Sequence, residues 1–506
     1  FVTESFQQGL QLDSLRSSHP IEVPIFDAIS YKKGASVIRM LSNFMGEDVF
    51  LTGIRRYLKR HEYSNASTDD LWKALSEESG INIGQFMTSW TRVVGYPVLT
   101  VIELPDDTLH ICQSRFLSTG KPNPDEDTTL WWVPLGINFG SLSSRVLTTK
   151  ETNVKLPHGA SEFYKLNSHV TGVFRVNYTP ERLAKLGQAV KNGLLDTSDR
   201  VGLVADVGAL AISGYTKTSS LLSLINEFDN EDKYFVWMEI NSRITNFFNV
   251  WFEQPEPVYK GLLLFQHHLI SKFVTKLSWE YPENEDYLTT MLRTLIIKVA
   301  GRAKDPEVVK EAFRRFELFT KNNDKTALHP NIRGAVYEIV LCNGGGVNEF
   351  EAILKAYRET NTADQKLAAL TGLGFAQQED LIKRALDFSI SEEVKNQDII
   401  YAFAGLQFNR KSRRALWKYV KENWELFHER YVKSLNLFGN IIKSSVGAFS
   451  SDADIKDIEN FFSNKDTKEF SRPLQQSLEN IRVNTAWLTR DKKDVEDWLR
   501  ANGYLQ

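Results

Sequence analysis

The chain has 506 residues, 42% hydrophobic and 25% charged, with a net charge of -3. That length exceeds one ordinary hydrophobic core and points to about three domains. The balanced charge leaves no electrostatic footprint for nucleic acid or an acidic membrane, and no apolar run approaches the roughly 20 residues of a membrane span. Two cysteines, Cys112 and Cys342, stand far apart. They make neither a disulfide framework nor a CxxC pair, which fits a reducing compartment, the cytoplasm. Phe1-Val2-Thr3-Glu4 carries no signal pattern and reads as the interior of a longer protein. Sequons at Asn65 and Asn177 are within chance for this length.

Residues 1–96 read as helices. Within them, Ile25-Phe26-Asp27-Ala28-Ile29-Ser30-Tyr31-Lys32-Lys33-Gly34 places a phenol at the end of a short apolar run, just before an amphipathic helix. Tyrosine has a reference pKa of about 10, so its hydroxyl is neutral at pH 7 and can donate to an oxygen that gains charge. Ser67 is placed as an N-cap, with Asp69 and Asp70 in the first turn and Gly80 as the terminator. Phe86, Trp90 and Val94 share a helix face, and Gly95-Tyr96-Pro97 breaks it.

Over residues 97–179 the period changes to two. Val98, Thr100 and Ile102 alternate with their neighbours, and Pro105-Asp106-Asp107 makes a turn. Leu109–Cys112 returns, and Trp131–Leu135 and Val173–Tyr178 are further strands of a small β-sandwich. Residues 180–506 are helical throughout, with breaks at Lys321–Lys325 and Gly344–Gly346. Helix succession without a fixed repeat predicts a HEAT- or armadillo-like solenoid. The expected class is therefore mainly α with a small β-sandwich.

Several segments, in order, resemble zinc aminopeptidases of the aminopeptidase N and puromycin-sensitive type. Leu12–Ile21 resembles the stretch before that family's catalytic tyrosine, and the Tyr31 segment resembles the tyrosine segment itself. Trp90-Thr91 with Gly95-Tyr96-Pro97-Val98 resembles the end of the catalytic domain. Gln113–Leu117 and Trp131–Leu135 resemble the β-sandwich. Asp199–Asp206, Leu328–Tyr337 and Val394–Asp398 resemble the helical domain. The texture is that of the cytosolic, fungal-like branch.

The resemblance implies the C-terminal portion of such an enzyme. Residues 1–96 would be the helical end of a thermolysin-like catalytic domain, and 97–179 and 180–506 the domains enclosing the active site. It implies hydrolytic removal of single N-terminal residues from peptides, with Tyr31 steadying the tetrahedral intermediate beside a zinc ion. The zinc ligands of the family, HExxH and a downstream glutamate, are absent from this chain. His61-Glu62 and His428-Glu429 both lack the second histidine four residues on. The chain alone is therefore expected to be inactive. Its expected partners are peptide substrates and the N-terminal catalytic part of the same protein. A second departure is that Val23-Pro24 runs directly into Ile25, where the family usually has a longer polar loop.

Other candidates read as structural. His19 precedes a proline and has no partner ligand at usable spacing. His267 and His268 point to different sides of one helix. Trp131 and Trp132 lack the basic interleaving of a nucleobase platform. Lys411, Arg413 and Arg414 read as a solvated helix face, as does Arg482. The rival to an enzyme fragment is a non-catalytic helical scaffold for protein interactions.

Overall fold

The computed structural model describes all residues except Pro24, Phe26, 139–144, 158–162 and Leu435. The loop expected between Pro24 and Ile25 thus involves a residue outside the described set. Helix accounts for 64% of the chain, against six short strands among the described residues, so the mainly-α class holds. Two compact units form, Phe1–Glu231 and Asp232–Gln506. Among the described residues no helix is long and apolar enough to cross a membrane.

The first unit opens with α1 (Gln7–Asp13), α2 (Gly34–Met45), α3 (Glu47–Arg60), α4 (Thr68–Ser79) and α5 (Ile83–Thr91). The Ser67 hydroxyl accepts the Asp70 N–H, and the Asp70 carboxylate accepts the Ser67 N–H, a complete capping box. Gly80 ends α4 in the left-handed region at φ 69°. Helix α5 stops at Thr91, so Val94 is not on its face. The reason is Gly95, held at φ 89° with its N–H on the Asp13 carboxylate.

The strands are β1 (Pro97–Leu104), β2 (Thr108–Arg115), β3 (Val133–Pro134), β4 (Val146–Leu147), β5 (Glu151–Lys155) and β6 (Arg175–Asn177). One sheet runs β5-β2-β1-β6, and β3-β4 forms a second small sheet. Antiparallel pairing carries β1 into β2 from Pro97↔Arg115 to Leu104↔Thr108. Asp106 and Asp107 both take positive φ in the three-residue turn, residues 105–107, that joins the two strands. Strand β6 joins β1 in parallel. The expected strands at Trp131–Leu135 and Val173–Tyr178 shorten to β3 and β6.

Helices α6 (Pro180–Lys191), α7 (Thr197–Ser213) and α8 (Thr218–Asn226) complete this unit. Asp206 of α7 accepts the Arg175 guanidinium at 3.0 Å and the Val176 N–H at 3.1 Å. Lys165 meets Asp199 of the same helix at 2.7 Å. These bonds tie α7 to the sheet, so the compact unit continues past the strand-to-helix change at Pro180.

The second unit is helical. It runs α9 (Tyr234–Val250), α10 (Glu256–Leu277), α11 (Tyr287–Arg302), α12 (Pro306–Thr320), α13 (Pro330–Cys342), α14 (Val347–Glu359), α15 (Ala363–Leu373) and α16 (Glu379–Ser389). It continues through α17 (Ile399–Phe408), α18 (Arg413–Glu422), α19 (Trp424–Tyr431), α20 (Leu437–Val446), α21 (Asp452–Phe462) and α22 (Ser471–Ala501). Helices α11, α13, α15, α17 and α20 pack in succession, with α12, α14, α16 and α18 each against at least one of them. This layering is that of a helical repeat stack. Pro306 and Pro330 sit at the first helical position, where the missing N–H is harmless.

The stack is tightest where α15 meets α17. A Cβ on Gly405 would lie 2.1 Å from the Thr371 carbonyl oxygen. Gly405→Ala is therefore expected to cost about 1–3 kcal/mol through overpacking. Gly84→Ala, in α5 with no neighbour closer than 3.6 Å, is expected to be neutral or slightly stabilising. Urea unfolding midpoints of the two variants check this, and equal midpoints would contradict the packing argument.

Candidate functional site around Tyr31

Tyr31 lies in a π-helical turn, Ile29–Lys33, that leads into α2. Such wide turns are rare and recur at functional sites. Its side chain is 61% exposed, in contrast to the tyrosines of the core. The turn itself is fixed from both ends.

On the entry side, Asp27 caps the turn. Its Oδ1 accepts the Ile29 N–H at 2.9 Å and the Ser30 N–H at 3.3 Å, and its main-chain carbonyl accepts the Tyr31 N–H at 3.1 Å. Its Oδ2 lies 2.9 Å from His19 Nε2, while His19 Nδ1 lies 2.7 Å from the Pro20 carbonyl. His19 is thus a bracing residue with both ring nitrogens occupied. Burial pushes the Asp27 carboxyl up, but the His19 and backbone hydrogen bonds outweigh it and hold the pKa below the ordinary value. Further back, Glu22 bonds the Thr91 hydroxyl at 2.6 Å and Arg92 at 3.0 Å, which stitches this segment to the end of α5.

On the exit side, Lys33 is fully buried with Asp13, Nζ to Oδ2 2.7 Å. Lys33 also donates to the Gly95 carbonyl at 2.9 Å, and Asp13 accepts the Gly95 N–H at 3.1 Å and the Ser18 hydroxyl at 2.6 Å. Asp13, Lys33 and Asp27 had no signal in the sequence beyond their position near Tyr31.

The other sequence candidates fall where packing puts them. Trp132 stacks on Phe86 with ring centres 4.0 Å apart, and Trp131 is buried. His267 meets Asp305 at 2.9 Å, and His268 packs edge-on to Tyr504. Arg482 pairs with Glu459 at the surface. One expectation fails. Of Lys411, Arg413 and Arg414, Arg413 is not on a solvated face, since it is 2% exposed and bonds the carbonyls of Gln407 and Asn249, whereas Lys411 is exposed and the Arg414 side chain is 41% exposed. Arg414 pairs with Glu253 and Asp454.

Residues 163–483 match the ERAP1-like C-terminal domain, and residues 1–90 match the peptidase family M1 domain. The chain belongs to the M1 aminopeptidase family. It is 37% identical to "Aminopeptidase 2" of Candida albicans, over 100% of this chain and 56% of that protein. It is 38% identical to "Aminopeptidase 2, mitochondrial" of Saccharomyces cerevisiae, over 100% and 54% respectively. With "Aminopeptidase M1" of Arabidopsis thaliana it shares 32% identity, over 98% of this chain and 58% of the relative. The chain spans about half the length of the curated relatives it matches.

M1 aminopeptidases are generally zinc-dependent, and the described residues do not fit that ion. His61 lies against Tyr57 and 4.0 Å from Asp70, and His428 packs against Trp424 and Phe438. One group of three metal-capable residues does come together, His169, Asp196 and Asp199, which the sequence reading missed. It is accounted for as a helix cap. Asp196 accepts the Asp199 N–H at 2.7 Å, Asp199 accepts the His169 N–H and Lys165, and His169 pairs with Asp196.

Asp27→Ala is expected to cost about 1 kcal/mol at neutral pH through loss of the cap. Because the folded-state pKa of Asp27 is depressed, its contribution is complete above the ordinary value of 3.8 and fades as pH falls below it. The stability gap between the parent chain and Asp27→Asn should therefore shrink in that acid range. A gap that stays constant from pH 7 to pH 3 in denaturant titrations would contradict the cap.

Proposed function

We propose that this chain is the C-terminal part of a zinc-dependent aminopeptidase that removes single N-terminal residues from peptides, with Tyr31 as its transition-state hydrogen-bond donor. The reading rests on one observation above the others. An exposed phenol stands on a π-helical turn braced by Asp27 on one side and by the buried Asp13–Lys33 pair on the other. Membership of the M1 family supplies the reaction class.

The Tyr31 O–H donates to the carbonyl oxygen of the scissile peptide bond as that oxygen gains negative charge. A donor held in place beforehand needs no reorganisation when the charge develops, which is why rigidity of the turn matters. Asp27, Lys33 and Asp13 do not touch substrate in this reading, and they position the turn. The zinc ligands belong to the N-terminal catalytic part, which is the chain's principal partner, and peptides are the substrates. Residues 1–96 form the helical end of the catalytic domain, 97–179 the β-sandwich and 180–506 the helical domain. Two free thiols and the absence of a long apolar helix among the described residues favour a cytoplasmic setting.

In a protein carrying both the zinc-binding segment and this chain, Tyr31→Phe is expected to lower kcat about 10²–10³-fold with little change in KM. Steady-state hydrolysis of an aminoacyl anilide reads this directly, and a variant that keeps full kcat removes Tyr31 from the reaction. The 506-residue chain alone is expected to release no amino acid from peptides. Substantial hydrolysis by that chain would overturn its dependence on the N-terminal part.

A further inference from the structure

The second unit holds a cavity of ≈ 250 Å³ beside the C-terminal ends of α11, α13, α15 and α17, with α9 and α10 along its side. Its walls include four aromatic rings, Phe248, Tyr259, Phe375 and Phe408. A cavity of about 150 Å³ accepts a benzene ring, so this one has room for a ring and a short arm.

Its polar groups are not all in use. Gln266 lines the cavity and is only 7% exposed, yet its side chain has no hydrogen-bond partner among the described residues. The Tyr259 hydroxyl, also on the wall, has no hydrogen-bond partner among them either. Neither group is among the fully buried unsatisfied polar atoms, so water reaches both from the cavity, and a ligand can take that water's place. A ligand with a polar atom inside the cavity would supply the partner.

The charge around the cavity is one-sided. Four cations line it, Arg302, Lys304, Arg410 and Lys411, against the single carboxylate of Glu256. Arg302 is held by buried Glu338 at 2.6 Å and Arg410 by Glu256 at 2.8 Å, and both lie at helix C-termini, where the dipole favours them. Lys304 and Lys411 are exposed and make no ion pair within 4 Å among the described residues, and Lys304 feels the longer-range attraction of Glu256, which Arg410 already holds. Lys411 lies just before Ser412, the N-cap of α18, on the side of the helix where the dipole disfavours a cation. Arg413 adds a buried charge whose hydrogen bonds among the described residues run to carbonyl oxygens, two of them on the cavity residue Asn249. Lys304 also occupies the left-handed region at φ 63°, a position where glycine would be relaxed.

We propose that this cavity binds a small aromatic carboxylate. The ring lies among the aromatic walls, the carboxylate meets Lys304 and Lys411, and Gln266 and Tyr259 bond a second polar group of the ligand. Few polar groups set in an apolar cavity is the usual build of a small-molecule site.

The test is calorimetric titration of the 506-residue chain at low salt with three probes. These are 3-(4-hydroxyphenyl)propanoate, 2-(4-hydroxyphenyl)ethylamine and acetate. The aromatic acid is expected to bind one to one, and the amine and acetate at least about ten-fold more weakly, the first for its charge and the second for its missing ring. Lys411→Gln and Gln266→Leu should each weaken the acid about five- to ten-fold. Lys304→Gly separates binding from folding, because it should weaken the acid while leaving the thermal midpoint equal or higher. The proposal is overturned if the acid shows no saturable binding up to millimolar concentration. It is also overturned if the amine binds as tightly as the acid, or if folded Lys304→Gly and Lys411→Gln variants keep full affinity.

Discussion

The buried ion pair between Asp13 and Lys33 is the constraint on which the first unit depends. Both side chains are withdrawn from water, and two charges in that position are tolerable only when fully bonded. Here the remaining capacity goes to Gly95 and Ser18. The end of α1, the turn that carries Tyr31 and the junction between α5 and β1 therefore meet at one point. Removing either partner would strand the other charge, at a cost of about 3–5 kcal/mol. Gly9 belongs to the same arrangement, since a Cβ there would come within 2.8 Å of the Lys33 backbone nitrogen. A second buried cation, Arg175, extends the tie by bonding Gln7 of α1 and Asp206 of α7.

The second unit uses buried cations differently. Glu338 gathers Lys298 and Arg302 between α11 and α13. Among the described residues Arg413 has carbonyl acceptors alone for its hydrogen bonds, and burial draws its pKa down to about 10, still protonated at neutral pH. Charges serve here as cross-links between successive helices, while apolar faces supply the bulk of the burial.

Much of the fold was legible because local chemistry and tertiary structure agree. Ser67, Asp70 and Gly80 announce both ends of α4, and the Asp106-Asp107 turn announces the hairpin. Legibility failed where a distant partner decided the outcome. Val94 continues a helical period, yet Asp13 takes the Gly95 N–H and ends the helix early. Strand β5 buries only Val154, so it offers no alternation to read. Arg413 looks like surface charge until Asn249, 164 residues away, is brought beside it. The Tyr31 segment was found through its likeness to a family pattern. The widened turn beneath it follows from an aspartate cap and a buried lysine, and no periodicity encodes either.

The parallel pairing of β6 with β1 has a consequence for synthesis. The β1–β2 hairpin is complete once Arg115 has left the ribosome, but the other edge of β1 has no partner until Arg175–Asn177 emerge. Closure also waits for Asp206, which anchors β6 through Arg175 and Val176. Throughout that interval the nascent chain presents an unpaired strand edge, a template for wrong pairing with neighbouring chains. At typical translation rates of about 5–20 residues per second the interval lasts several seconds, so the vulnerable species of this protein is its half-made sheet.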